Sequence, residues 1–324
     1  MQKAYACLQT FTLEKISLFL FVFLSLLSAN NSELFAVDYL LQRKLFLPAF
    51  EKLEEIIGND YQGEDAYALR GHILTIRGRY SDALVDYEYG IASERIWHRE
   101  GESLANIYRF SWECEKANEL RENIRLFGSF PLGAKLRLYF EQLQDFRYCG
   151  ELLRAWDVQA EMEGLYPRAV LTHFGSAELF LDQGDIEAAY RELWLSQQFF
   201  RHFGWKDIAA RIALMEGRYE EAFQLMQYIQ VQRVADHSLA RFMLSAILAN
   251  DPMMAVYKTD MLRWSEIENP IILYLRMVAF ESMGMEEDFQ ATKTWFEVNC
   301  DGVCQERVLW SIEKELGYRL ESRL

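Results

Sequence analysis

From Gly184 to Ile229 the chain reads GDIEAAYRELWLSQQFFRHFGWKDIAARIALMEGRYEEAFQLMQYI. Apolar and polar residues alternate here at the spacing of helices buried on one face. A glycine, an apolar residue two positions on and an alanine three further on occur twice, as Gly184, Ile186, Ala189 and as Gly217, Tyr219, Ala222. The copies are 33 residues apart. A repeat of that length, made of two amphipathic helices, predicts an all-α solenoid of stacked helical hairpins.

A third copy lies at Tyr67–Gly90, where Tyr67, Gly71, Leu74, Gly78, Tyr80, Ala83, Tyr87 and Gly90 alternate large and small residues. Two antiparallel helices approach within ~8–10 Å only where side chains are small, and Gly71 with Ala83 would form that crossing. Gly78 would end the first helix in the left-handed conformation that glycine adopts cheaply. With Ala83 as the phase marker, the equivalent positions are Ala49, Ala83, Ala117, Gly150, Ala189, Ala222, Ala255 and Phe289, at steps of 34, 34, 33, 39, 33, 33 and 34. This pattern resembles the tetratricopeptide repeat family. The resemblance implies a right-handed solenoid of about eight hairpins and a non-enzymatic role in binding protein segments.

Proline agrees with this phase. Pro48 and Pro252 fall at expected starts of second helices, Pro131 and Pro270 at starts of first helices, and Pro167 just ahead of another. Proline is tolerated in a first helical turn and resisted inside a helix. Asp251 and Asn269 precede two of these prolines and are expected caps. The fourth hairpin is expected over Pro131–Gln144 and Arg147–Glu161, and the extra residues of the 39-residue step at Met162–Pro167. That stretch is the expected boundary between repeats over 32–161 and repeats over 168–299. The stretch 303–324, with Leu309, Trp310, Ile312 and Leu316 among charges, reads as a closing helix over the last apolar face.

Residues 1–29 form a segment of another kind. Ile16–Leu27 is free of charge, follows Lys3 and Lys15, and ends at Ser28-Ala29. This matches a secretory signal peptide. An uncleaved anchor using residues 13–29 at a membrane, or the buried first helix of a cytoplasmic adaptor, are the alternatives. Export would remove Cys7 and leave Cys114, Cys149, Cys300 and Cys304, an even count that suits two disulfides, Cys114–Cys149 and Cys300–Cys304. The alternative is four small buried thiols.

The formal net charge of −15 argues against nucleic acid as a partner. His72, His98, His173, His202 and His237 stand singly, without metal-ligand spacing. Residues 128–135, GSFPLGAK, lack the strand and the Ser or Thr of a phosphate-binding loop. No nucleophile and base stand at a recognisable spacing, so neither an enzyme nor a cofactor is expected. The resemblance places first helices on the concave face. It would expose Asn106, Arg109, Lys135, Tyr139, Gln142 and Arg211 there, beside His72, Glu178 and Asp207, with Leu244, Ile247 and Tyr274 further on. Such a groove suits an extended protein or peptide segment with an acidic group. Asn106 matches a position of the family's carboxylate clamp, but Glu102 stands where the clamp has a lysine.

Overall fold

A computed structural model describes residues 33–43, 45–59, 63–76, 79–90, 98–127, 131–199, 203–228, 236–260 and 268–317. The leader or anchor expected over 1–29, together with Gly78, His202 and the end of the closing helix, lies outside the described residues. Every regular element among the described residues is helical, and the helices pair in sequence. The first hairpin joins α1 (33–42) to α2 (Phe46–Gly58). Then come α3 (Glu64–Ile76) with α4 (Tyr80–Gly90), α5 (His98–Phe110) with α6 (Cys114–Phe127), and α7 (Leu132–Tyr148) with α8 (Leu152–Leu165). The remaining pairs are α9 (Val170–Asp182) with α10 (Ile186–Leu195), α11 (Phe203–Met215) with α12 (Tyr219–Met226), α13 (Asp236–Leu248) with α14 (Pro252–Asp260), and α15 (Pro270–Ser282) with α16 (Glu286–Asn299). A last helix, α17, spans Gly302–Leu316.

The small residues do what the spacing predicted. Ala49, Ala83, Ala117, Ala189, Ala222 and Ala255 are fully buried on the second helices of their hairpins. Gly71 faces the ring of Tyr87, so closely that an added Cβ would sit 3.1 Å from it. Asn269 caps α15 by accepting hydrogen bonds from the amides of Ile271 and Ile272, and Asp251 accepts one from the amide of Met254.

Gly150 belongs to a different series. It takes φ +77° in the turn between α7 and α8, as Gly184 (+77°), Gly217 (+72°) and Gly284 (+68°) do in theirs. Trp112 (φ 56°) and Asn250 (φ 63°) hold the same place in two other turns. Each turn closes with a bond from the next amide to the carbonyl five residues back, for example Glu151 to Phe146, Asp185 to Phe180 and Arg218 to Ala213, all at 2.8 Å. This is the hydrogen bonding of a Schellman cap. The crossing residue of the fourth hairpin is therefore Ala155, also fully buried. The long step falls between Ala117 and Ala155, not at Met162–Pro167. Its cause is α7, which has 17 residues where the other described first helices from α3 onwards have 13. That is about one extra turn. The expected helix ends Gln144 and Arg147 accordingly move into α7, and α8 starts at Leu152.

The described residues fall into two compact units: those within 33–73 with 85–90, and those within 74–84 with 98–317. The chain is not parted at 162–167. There Gln159 on α8 donates to the Thr172 carbonyl (3.0 Å) and to Ser176 Oγ (2.7 Å) on α9, which ties one hairpin to the next. Unit 1 is built on Val37, Leu41, Ala49, Leu53, Ile56, Ala66 and Ile73. Arg70 locks it by bidentate bonds to Asp86, both 2.7 Å, and by one to Glu54 at 2.6 Å.

Unit 2 holds a longer row of hairpins with α17 inside it. A 15-residue helix is only ~22 Å long, whereas six parallel helices at ~9 Å spacing would spread over ~45 Å if laid flat. Yet α17 touches the end of α5, then α7, α9, α11, α13 and α15. The row must curve around it. The backbone amide and hydroxyl of Ser81 donate to Glu268 just ahead of α15 (2.8 and 3.0 Å).

Candidate functional site: the inner face of unit 2

The first helices of unit 2 turn charged side chains inward at nearly the repeat period. Arg109 of α5 pairs with Glu141 (3.2 Å) and Asp145 (3.1 Å) of α7, and Arg121 of α6 pairs with Asp145 as well. Asn106 joins this group by accepting bonds from Arg109 (2.8 Å) and Arg121 (2.5 Å). The next group is centred on α9. Arg147 donates to Asp182 (2.6 and 2.9 Å) and to Glu178 (2.8 Å), and Arg211 of α11 donates to Asp182 (2.7 Å) and to Glu178. Arg241 of α13 reaches Asp207 (2.9 Å) and Glu178 (3.4 Å). Arg121, Arg211 and Arg241 are among the largest fully buried side chains.

Buried charges are tolerated only when paired and hydrogen-bonded, and the local fields follow from that pairing. Burial pushes Glu178 up, but Arg147, Arg241 and Arg211 outweigh it and hold the carboxyl well below the usual range. Asp182 is likewise held far down against burial, by Arg147, Lys314 and Arg211. At Asp145 and Asp207 burial wins and the carboxyls are raised. Burial also lowers His237, which lies 3.9 Å from Asp207.

The inner end of this network is closed by α17. Lys314 Nζ sits 3.1 Å from Asp182 and donates to the Arg147 carbonyl at 2.7 Å. Its pKa is pushed down to about 8, because burial and the repulsion of Arg147 and Arg211 exceed the pull of Asp182. Glu315 accepts from Arg241 at 2.6 and 3.1 Å, and the Lys314 carbonyl accepts from Arg211 at 3.2 Å. On the same helix, Val308, Ile312 and Leu316 are buried among Leu244, Leu275 and Phe242. Arg307 lies over the ring of Trp112 at 5.6 Å. Gly317, at φ +72°, ends the helix so close to Met215 that a Cβ would sit 2.8 Å from its Cε. The closing helix thus does more than end the row: it occupies the inner face.

This position corrects the exposure expected for the groove. Arg109 and Arg211 are buried (2% and 0% exposed), as are Glu178, Asp207 and Leu244, because α17 and the neighbouring hairpins cover them. Asn106 and Arg109 come together, whereas Arg211 belongs to the second group. Tyr139 turns away towards α6, where its hydroxyl accepts a bond from Arg125 at 2.7 Å. Gln142 is buried, and Lys135 lies partly exposed at the start of α7. Asn106 Oδ1 is already engaged by two arginines, and Glu102, at the clamp's lysine position, pairs with Arg137. Reading residues one by one missed Arg147, Asp182, Arg241, Lys314 and Glu315. The available signal was opposite charge at equal repeat positions, as in Glu178 and Arg211, 33 residues apart.

Cys114 at the start of α6 and Cys149 after α7 form a disulfide, and Cys300 and Cys304 form a second across the α16–α17 turn. Among the described residues no group of three or more His, Cys, Asp or Glu side chains is placed to hold a metal ion.

A solved structure shares this fold. A tetratricopeptide repeat protein from Parabacteroides merdae aligns with a TM-score of 0.50 and 12% identity, over 78% of this chain and 98% of that one. The tetratricopeptide repeat domain of P58(IPK) covers 88% of this chain and 97% of that one at 14% identity, but superposes only to a TM-score of 0.28. No protein-family model and no curated protein matches the sequence. The chain therefore has the fold of an α-solenoid of tetratricopeptide-repeat type.

Proposed function

We propose that this chain is a non-enzymatic interaction scaffold of the cell envelope, which binds a helical segment of a protein partner on the inner face of unit 2. The observation that carries this reading is that the face already receives a helix, its own α17, through an apolar stripe and a pair of charges. Helix-in-groove recognition uses the same physics: an amphipathic helix lays its apolar face into a matching channel and charges fix its register. The envelope assignment is supported by the uncharged run Ile16–Leu27 behind basic residues. It is supported further by the pairing of all four cysteines that would remain after cleavage, which suits an oxidising compartment.

Photo-crosslinking tests the reading. A photoreactive residue replaces His237, beside the inner cleft, or Leu153, 83% exposed on α8, in the full chain expressed in its source cells. A discrete partner adduct is expected from position 237 and none from position 153, with a mature N-terminus near Asn30 in the same preparation. Adducts from 153 alone, or from neither position, would reject the inner face as the binding surface, and an intact Met1 would reject export by cleavage.

A further inference from the structure

We infer that α17 is a resident ligand of the inner face. The partner is then a helix of the same pattern, with apolar residues four apart and a lysine–glutamate pair beside them, that takes its place. This rests on the inner-face reading above and goes beyond it in naming the ligand chemistry and the competitor.

Three observations carry the inference. The first is charge balance. Without α17 the face holds Arg109, Arg121, Arg147, Arg211 and Arg241 against Glu141, Asp145, Glu178, Asp182 and Asp207, five of each sign. Lys314 and Glu315 add one of each. When α17 leaves, Asp182 keeps Arg147 and Arg211, Arg211 keeps Glu178 and Asp182, and Arg241 keeps Asp207 and Glu178. Breaking a buried pair is strongly destabilising when it leaves a charge uncompensated, and here every charge of the face keeps a partner.

The second observation is attachment. The chain connection of α17 to the hairpin row is the short turn after α16, and the Cys300–Cys304 disulfide ties only its first turn there. The charged residues that grip the inner face, Lys314 and Glu315, lie at the other end beside Leu316, with the apolar Val308 and Ile312 between.

The third is fit. Between α17 and the row lies a cleft with a cavity volume of about 60 Å³, where Trp310 and Ser311 face Phe110, Tyr148, Leu244 and Leu275. Interiors are otherwise close-packed. Ser311 is a small polar residue at an apolar wall, so a helix with a larger apolar residue at that place would fill the cleft better.

The test uses the full chain, wild type and Lys314→Glu with Glu315→Lys. The swap sets a carboxylate beside Asp182 and an ammonium beside Arg241, and so ejects α17. A fluorescent peptide of residues 302–317, with Cys304→Ser, is titrated into each. The swapped chain is expected to bind it at least tenfold more tightly than wild type, where the resident helix competes, and the peptide with Ser311→Leu more tightly still. Should the swapped chain not fold by circular dichroism, Leu316→Ala serves as the releasing variant. Amide exchange in wild type is expected to be at least tenfold faster in α17 than in α11. Exchange of α17 only together with α11 would overturn displacement while leaving an adduct from position 237 intact. Fast exchange of α17 with no peptide binding to either chain would overturn the inner face itself. Concentration-dependent dimers that trade α17 would replace the foreign helix by a second copy and overturn the partner assignment.

Discussion

Arg211 shows why a single residue type cannot be read without its surroundings. On α11 it stands one repeat after Glu178, on the side a solenoid turns inward, and as a lone arginine it suits a solvated groove. Its guanidinium is instead fully buried, sharing Glu178 and Asp182 with Arg147 and donating to the Lys314 carbonyl. Replacing it with alanine removes one partner from each of two buried carboxylates, leaving Glu178 with Arg147 and Arg241 and Asp182 with Arg147 and Lys314. Breaking such a pair costs ~3–5 kcal/mol, so Arg211→Ala should lower stability by about that amount in urea unfolding followed by circular dichroism. A loss below ~1 kcal/mol, the worth of an exposed pair, would mean that water reaches the site. Trp112 adds a second residue-scale case. It takes the left-handed turn conformation that Gly184 and Gly217 take elsewhere, a strained choice for a bulky side chain. Its ring stacks on Tyr148 at 5.8 Å and carries Arg307 of α17, contacts that hold it there.

At the scale of elements, the hairpin is the unit that local sequence specifies. A buried alanine on the second helices from α2 to α14, and from α5 onwards a left-handed turn residue between paired helices, recur at steps of 33 or 34 except for the single 38-residue step across α7, and the alanines follow from the close crossing of two helices. The fourth hairpin was misjudged because α7 is longer by about one turn. Gly150 then fell on the alanine phase, although it is a turn glycine like Gly184. Nothing in the composition of α7 marks the added turn, since any amphipathic helix extends by one turn without changing its pattern. The Cys114–Cys149 disulfide staples α6 to the end of this long helix across a sequence separation of 35. Cys114→Ser with Cys149→Ser should cost ~2–4 kcal/mol, read as a lower Tm. Reductant should lower the wild-type Tm similarly and leave the variant's share of the loss unchanged.

For the whole molecule the buried charges translate into a pH profile. Glu178, Asp182 and Glu315 have lowered pKa values in the fold. Their stabilisation is complete above the ordinary carboxylate pKa of ~4 and is lost as pH falls below it. Asp145 and Asp207 are raised by burial, so the native chain takes up protons before the unfolded one and gains stability on mild acidification. His237, lowered by burial, works against this gain below its ordinary pKa of about 6.5, so the urea midpoint should change little from neutral pH to about 5 and drop steeply below about 4. Lys314 has the opposite window. Its pKa of about 8 lies below the ordinary 10.5, so between these values the unfolded chain binds more protons and stability rises with pH. The wild type should gain on Lys314→Met across that interval. A constant difference would place Lys314 in water.

The amino-acid order by itself determined the all-helical class, the number of hairpins and the place of their small residues outside the fourth hairpin, because each hairpin's packing is settled among residues within about one repeat of each other. It also marked Cys114, Cys149, Cys300 and Cys304 as candidate pairs. Only the tertiary structure decided that the polar inner face is a buried ladder of arginines and carboxylates, and that α17 fills it. Curvature accumulates over six hairpins before Lys314 can meet Asp182 and Arg147, more than 130 residues earlier in the chain. No local period records that sum, and an inward arginine looks the same in sequence whether water or a returning helix stands opposite it.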